Sequence, residues 1–218
     1  MPTRSSPRTR ERELVKVTRG LFDERGMQDA PVEEIARAAG IARGLIYRHF
    51  SSKEELFVAA VIDYLSELAA LLEAAIASES EPVKQLERLT EAYARYCLEY
   101  PAFLDSCISL MHRPARELAE IVSESVWLRL GQGMALCLDH IAGILRDGTA
   151  AGAFAVEDPD YTANVLWTQG LGVMHLARIR VGVRSLAPGV PSLFAVAPER
   201  IVRTCIDSAL ANVRTQRG

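Results

Sequence analysis

Apolar residues recur every three or four positions along most of this chain, which is the spacing that places them on one face of an α-helix. The first such run covers 8–25 and carries Leu14, Val17, Leu21 and Phe22. The same pattern predicts further helices over 31–39, 43–49, 51–77, 82–100, 101–111, 115–147, 158–183 and 198–214. The sequence therefore predicts an all-α fold of about nine helices.

The predicted helices divide into two domains. A three-helix domain is expected over 1–53, with a mobile arm at 1–7, and a larger helical domain over 54–218. No strand is predicted, and the residues around Pro188, Gly189 and Pro191 are expected to form a loop between the last two helices.

Two of the short helices meet at a turn that contains glycine. Ala36 is small where the second helix faces the third, Gly40 can take the left-handed conformation of a tight turn, and Ile46 is an apolar plug. This is helix-turn-helix spacing, although any helical hairpin can show these three residues alone. The exposed face of the third helix decides between the two interpretations.

That face carries small, cationic and hydrogen-bonding side chains. Its first turn holds the residues predicted to contact DNA bases: Ala42, Arg43 and Gly44. Its end and the start of the next helix hold those predicted to contact phosphates: Tyr47, His49 and Lys53. Taken singly, Tyr47 is more typical of a core aromatic residue and His49 of a solvated surface residue. Their position together after a helix-turn-helix favours phosphate contacts.

Charge is distributed unevenly along the chain. Residues 1–53 hold 11 Lys and Arg against 7 Asp and Glu, whereas the remainder holds 14 against 21, within a net charge of −3. A positive end on a negative body favours an anionic partner for the N-terminal segment, or a solvated basic arm.

The run from Leu21 to Phe57 resembles the TetR (tetracycline-repressor) family of transcriptional regulators. The resemblance rests on Ile35-Ala36, Ala39-Gly40, the aromatic-x-x-F of 47–50 and the Ser-Lys-Glu of 52–54. It implies a homodimer that binds palindromic double-stranded operator DNA and is released by a small apolar or amphipathic effector.

One position departs from the family. Ala30-Pro31 stands before the second helix, where the family has a capping Ser or Thr that touches a phosphate. We expect that contact to be made instead by three arginines of the N-terminal arm: Arg4, Arg8 and Arg10. The alternative is that this arm is a disordered tail without a DNA contact.

The resemblance also assigns the last two helices to the dimer interface. Their apolar and small residues could equally form ordinary core, but their terminal position favours the interface. The predicted interface residues are Val165, Leu166, Gly172, Val173, Leu176, Ile201, Cys205, Ile206 and Ala209.

An effector pocket is expected among aromatic and sulfur-containing side chains of the central helices. Each of them is individually more typical of core. The predicted pocket residues are Tyr93, Tyr96, Tyr100, Phe103, Met111, Trp127, Met134, Trp167 and Met174.

Other functions find less support in the sequence. No phosphate-binding loop, zinc-protease motif or nucleophile elbow occurs, so no catalytic residue, metal site or cofactor is predicted, and an all-α enzyme is the weaker alternative. An activator of the same family stays open. The four cysteines form no CxxC pair and are read as buried apolar residues in a cytoplasmic protein, with a thiol sensor as the second reading. Neither a secretory signal nor a membrane span is predicted.

Overall fold

The computed structural model describes residues 7–25, 31–112 and 114–214, and within these ranges the chain forms ten helices and one β-hairpin. The predicted all-α class is confirmed, with the hairpin as a small addition. None of the described helices is both long enough and apolar enough to span a lipid bilayer. The helices are α1 Pro7–Arg25, α2 Val32–Ala38, α3 Arg43–Ile46, α4 Lys53–Ile76, α5 Pro82–Glu99, α6 Pro101–Met111, α7 Ala115–Ile121, α8 Glu124–Ala150, α9 Pro159–Ile179 and α10 Pro198–Val213.

The single helix predicted over 115–147 is interrupted. Val122 has an extended backbone (φ −109°, ψ 156°) and ends α7, and Ser123 precedes α8. The Ser123 carbonyl accepts hydrogen bonds from the amides of Val126 and Trp127, which starts the new helix. Serine favours such helix starts over helix interiors.

The predicted loop before the last helix is instead an antiparallel hairpin, β1 Val181–Ala187 and β2 Val190–Ala195. Helix α9 stops at Ile179 rather than at 183, because Arg180 takes a left-handed conformation with φ of 60°. Gly189, with φ of 77°, lies in the turn between the strands. Valines at alternate positions favour strands. The prolines and glycine of the same segment are typical of a loop, which is why no strand was predicted.

The chain divides into two compact units, one of residues 1–67 and 101–134 and one of 68–100 and 135–218, which we call unit 1 and unit 2. The core of unit 1 includes Leu14, Tyr64 and Phe103, with the rings of Tyr64 and Phe103 centred 5.9 Å apart. The core of unit 2 includes Leu72 and Met174. The predicted functional division at residue 53 stays a prediction.

Candidate nucleic-acid interface and ligand cavity

Helices α2 and α3 meet through a tightly hydrogen-bonded turn. The amide of Ile41 donates to the carbonyl of Ala36 (3.0 Å), and the amide of Gly40 donates to Arg37 (3.1 Å). These two bonds form a Schellman C-cap, which needs a left-handed residue, and Gly40 supplies it with φ of 65°. The sequence-based reason for glycine at this position agrees with this geometry.

A small apolar core holds the helix pair on α1. Ile35, Ile46 and Phe50 are each at most 2% exposed. Leu14 and Phe22 of α1 are also buried. Val17, expected among them, is only half-buried, while its neighbour Val15 is buried. The pair α2–α3 with this core has the arrangement of a helix-turn-helix.

The side chains predicted to contact bases lie on the surface of unit 1. Ala42, Arg43 and Gly44 are all exposed, whereas Ile46 of the same helix is fully buried. A methyl group added at Gly44 would meet no atom within 4 Å. The protein therefore does not itself need glycine at residue 44.

Arg43 has a partner within the chain. Its Nη1 lies 2.7 Å from a carboxylate oxygen of Glu33 on α2, and its guanidinium lies 5.7 Å from the centre of the Tyr47 ring. A contact between Arg43 and a base therefore competes with the Glu33 ion pair. This pair is not evident from sequence, because Glu33 has the pattern of an ordinary exposed residue in a first helical turn.

The predicted phosphate contacts lie beside a cationic groove of unit 1. Tyr47 (41% exposed) and Lys53 are at the surface, and His49 is half-buried. The groove has a volume of about 900 Å³, and its lining includes Tyr47 and His49 but not Lys53. It is also lined by cationic side chains that the sequence analysis missed or placed elsewhere: Arg8, Arg12, Arg48 and Arg129.

Arg48 is the clearest of the missed residues. It is exposed and lies between Tyr47 and His49. Because both neighbours were predicted to contact phosphates, the sequence already indicated that Arg48 could do so. Arg129 is partly neutralised by Glu11, with 3.3 Å between the charged groups. The groove keeps an excess of positive charge, which suits an anion.

The prediction of an arginine-bearing arm needs correction. Arg8 and Arg10 lie in the first turns of α1 and not in an arm, and Arg10 pairs with Glu13 at 2.9 Å. Arg4 lies outside the described residues. Arg8 lines the cationic groove, so it is positioned by a helix rather than carried on a flexible segment.

Glu55 fixes the start of α4. The sequence allowed two capping boxes, Ser51 with Glu54 or Ser52 with Glu55, and the structure forms the second, with the Glu55 amide donating to the Ser52 hydroxyl at 3.0 Å. The Glu55 carboxylate accepts hydrogen bonds from Ser51 and from the Ser123 hydroxyl. Burial alone would raise the pKa of Glu55, but these hydrogen bonds outweigh it and hold the pKa below its usual value.

Unit 2 contains a largely apolar cavity among α5, α9 and α10. Its volume is about 30 Å³, which is room for two or three water molecules. Of the predicted pocket residues, Tyr93 and Trp167 line it, with ring centres 5.5 Å apart. Three polar residues also line it and were not predicted, because each lies singly among apolar neighbours: Thr90, Gln169 and Ser208.

The other predicted pocket residues are placed elsewhere. Tyr96 and Met174 are buried in unit 2, and the Tyr100 ring lies 4.7 Å from that of Tyr96. Four predicted pocket residues belong to unit 1 and do not line this cavity, so their role in effector binding stays a prediction: Phe103, Met111, Trp127 and Met134. Met111 is 56% exposed, because α6 ends there.

The predicted interface residues fall into two groups. Four are at most 8% exposed within the single chain and are therefore corrected to core residues of unit 2: Leu166, Ile201, Cys205 and Ala209. The other five are half-buried or exposed and remain available to a partner: Val165, Gly172, Val173, Leu176 and Ile206. The small side chains of α10 that pack in this core have the same sequence pattern as side chains in a dimer interface.

The cysteines behave as apolar residues. All four are buried, and burial raises the pKa of Cys205 to about 11 and that of Cys137 to about 12. Thiols with raised pKa values are poor nucleophiles, which favours packing over redox sensing.

The comparisons with known proteins agree with this geometry. Residues 14–60 match the family model described as "Bacterial regulatory proteins, tetR family". The chain is 32% identical over 87 residues to the HTH-type transcriptional repressor KstR2 of Mycolicibacterium smegmatis, covering 40% of this chain and 42% of that protein. It is 31% identical over 88 residues to the HTH-type transcriptional activator FasR of the same organism, covering 40% of each.

Similarity in structure extends over almost the whole chain. RolR, solved in complex with its ligand resorcinol, aligns with a TM-score of 0.68 and 17% identity, covering 96% of this chain and 90% of that one. The chain spans less than half of the length of these two curated relatives, KstR2 and FasR. The α2–α3 pair thus defines a helix-turn-helix protein. Residues 14–60, which contain that motif, are similar to the TetR family of bacterial regulatory proteins.

Proposed function

We propose that this chain is a ligand-responsive, DNA-binding transcriptional regulator, and specifically a repressor that acts in the cytoplasm as a homodimer. The observation that carries the proposal is the exposed first turn of α3, Ala42–Gly44, beside the cationic groove of unit 1. A short helix with small residues and one arginine at its start fits the major groove of DNA.

In this proposal Arg43 reads a base and its neighbours permit the approach. A guanidinium donates two parallel hydrogen bonds to guanine, and the bare backbone at Gly44 lets the helix come close. Tyr47, Arg48, His49 and Lys53 contact phosphates, and Arg8 and Arg12 extend the positive surface. On binding DNA, Arg43 leaves its ion pair with Glu33 and forms the base contact.

Dimerisation supplies a second copy of the reading surface. One short helix reads only a few base pairs, so two copies related by a twofold axis read a palindrome. Helices α9 and α10 are the proposed interface, through the five residues that the fold leaves available.

The effector site in this proposal is the cavity of unit 2. Its apolar lining with Thr90, Gln169 and Ser208 suits an uncharged ring that carries one or two hydrogen-bonding groups. At about 30 Å³ the cavity must expand on binding, since a benzene-sized ligand occupies a cavity of roughly 150 Å³. Resorcinol, the ligand of RolR, is of this chemical class.

Two titrations test the proposal. DNA sequences are selected from a randomised palindromic library and their binding is measured by fluorescence anisotropy at several salt concentrations. Resorcinol and related phenols are then added to the complex, and a typical allosteric coupling of ~1–3 kcal/mol predicts about 5- to 150-fold weaker binding. Failure to select any DNA contradicts the regulator proposal.

Activation is the second candidate, because FasR, to which this chain is similar, is named an activator. The two differ in where the protein binds relative to a promoter. A transcription assay with the selected DNA placed over or upstream of a promoter separates them.

A further inference from the structure

The β-hairpin exposes an apolar face. Successive strand residues point to opposite faces, so the register Val181↔Ala195 and Val183↔Leu193 places these four side chains together. Val183 and Leu193 are each 69% exposed, Val181 is 39% exposed and Ala195 is exposed. We call this set the hairpin face.

The opposite face is built differently. Phe194 pairs with Gly182, and a methyl group added at Gly182 would lie only 2.3 Å from the Phe194 ring. An aromatic ring laid over a cross-strand glycine stabilises a strand pair. Arg184 adds its guanidinium 6.0 Å from the centre of the same ring. The hairpin is therefore ordered by contacts that leave the hairpin face uncovered.

An uncovered surface of this kind is unusual for a free protein. Residues 181–197 contain a single charged side chain, Arg184, and the two strands are the whole sheet, so each has an open edge. Monomeric proteins protect such edges with charge, proline or a covering element. Contiguous exposed apolar surface instead marks an interaction site.

The proposed interface helices expose few large apolar side chains, and the hairpin can supply more. Among the described residues of α9 and α10 these are Tyr161 (68% exposed), Leu176 (38%) and Ile179 (53%), and Ile179 directly precedes the hairpin. A stable interface uses about 20–30 residues from each partner. The hairpin connects these two helices in the chain and follows α9 directly.

From these observations we infer that the hairpin face binds a second copy of this chain and forms part of the dimer interface. The inference rests on the homodimer of the proposed function and extends it to a segment outside the helices. A face without charge is complementary to its own copy and offers nothing to DNA phosphates.

The test measures the dimer dissociation constant by sedimentation equilibrium. Val183→Arg combined with Leu193→Arg places four charges in the interface of each dimer, so the dissociation constant should rise at least about hundredfold. Leu136→Arg, an exposed leucine of α8 that is 55% exposed, is the matched control and should leave it unchanged. Circular dichroism and thermal unfolding of the monomer check that both variants fold.

A second readout does not depend on introduced charge. The native cysteines are buried, so a thiol introduced by Val183→Cys is labelled selectively by an exposed-thiol reagent. Its labelling should be at least about tenfold slower than that of Leu136→Cys when the protein is dimeric, and equal to it on dilution to monomer.

The outcomes separate the two proposals. A wild-type protein that is dimeric, with unchanged dissociation and rapid labelling in the hairpin variants, overturns the hairpin inference and leaves the regulator proposal standing. A wild-type protein that is monomeric even on its selected DNA overturns both. Weakened dimers together with protected thiols support the inference.

Discussion

The guanidinium of Arg43 lies 2.7 Å from the carboxylate of Glu33, so the arginine proposed to read DNA is held by a neighbouring helix of the same motif. Both side chains are more than half exposed, and the ion pair is therefore easily exchanged. Glu33 therefore lowers the affinity of Arg43 for a base, because the ion pair must break before the base contact forms.

Glu33→Gln is expected to tighten binding to the selected DNA by about 2- to 5-fold, because a surface ion pair is worth little and is lost on binding. Arg43→Ala should weaken binding about 5- to 150-fold and relax discrimination at one position of each half-site. Anisotropy titrations of both variants and of the double variant check this. If Glu33→Gln has the same effect with and without Arg43, the competition is absent.

Gly44→Ala should separate folding from DNA binding. The added methyl group meets no protein atom, and alanine is the better helix former, so the free energy of unfolding should rise by about 0.5–1 kcal/mol. DNA affinity should fall, because the methyl group keeps the backbone from the bases.

Gly40→Ala is the matched control for that experiment. Its φ of 65° is strained for alanine, so stability should decrease by about 1 kcal/mol. Chemical denaturation of both variants gives the stabilities. If a stable Gly44→Ala protein binds DNA as tightly as wild type, the backbone at Gly44 does not closely approach the bases.

Glu55 should make the stability of unit 1 depend on pH. Its pKa is lower in the folded chain than the ordinary value of 4.5, so it stabilises the fold above about pH 4.5, and this stability is lost as pH falls through the folded pKa. Glu55→Gln should cost about 1–3 kcal/mol of unfolding free energy at pH 7, because a charged acceptor of several hydrogen bonds is lost.

Chemical denaturation between pH 3 and pH 7 checks that prediction, with Glu54→Gln as the control one residue earlier. The difference between wild type and Glu55→Gln should shrink toward low pH, while that of the control stays near zero. If the difference in unfolding free energy between wild type and Glu55→Gln is constant over this range, the charge of Glu55 does not contribute to stability.

Arg48 and Lys53 should govern the salt dependence of DNA binding. Each removal of a phosphate contact lowers the slope of log K against log salt by about 1 per contact, which is about 2 for a dimer. Arg48→Ala and Lys53→Ala are expected to weaken all DNA sequences alike. Glu91→Ala of α5 is a surface control, and it should leave the slope unchanged.

The helix-turn-helix was predictable from sequence for local reasons. The requirements at Ala36, Gly40 and Ile46 arise within twenty residues of chain, where spacing determines contact. The hairpin was not predicted, because a proline-rich and glycine-rich segment is equally typical of a loop and of a turn between strands.

The candidate sites differ in the same way. Exposure of Ala42–Gly44 followed from helical periodicity, whereas burial of Cys205 and Ala209 depends on which helices pack together. An apolar stripe has the same pattern in a core and in an interface. The cavity could not be located from sequence because its lining combines single residues from several helices.

The most direct test of the central claim is the affinity of the purified protein for its selected palindromic DNA, measured by anisotropy between 50 and 200 mM salt. The account predicts that binding weakens about 10³- to 10⁵-fold over this range, as expected for 6–10 phosphate contacts, and that Arg43→Ala reduces discrimination between matched and mismatched half-sites. Binding that is insensitive to salt, or an Arg43→Ala variant that discriminates as well as wild type, would contradict the claim that the first turn of α3 and its cationic surroundings read DNA.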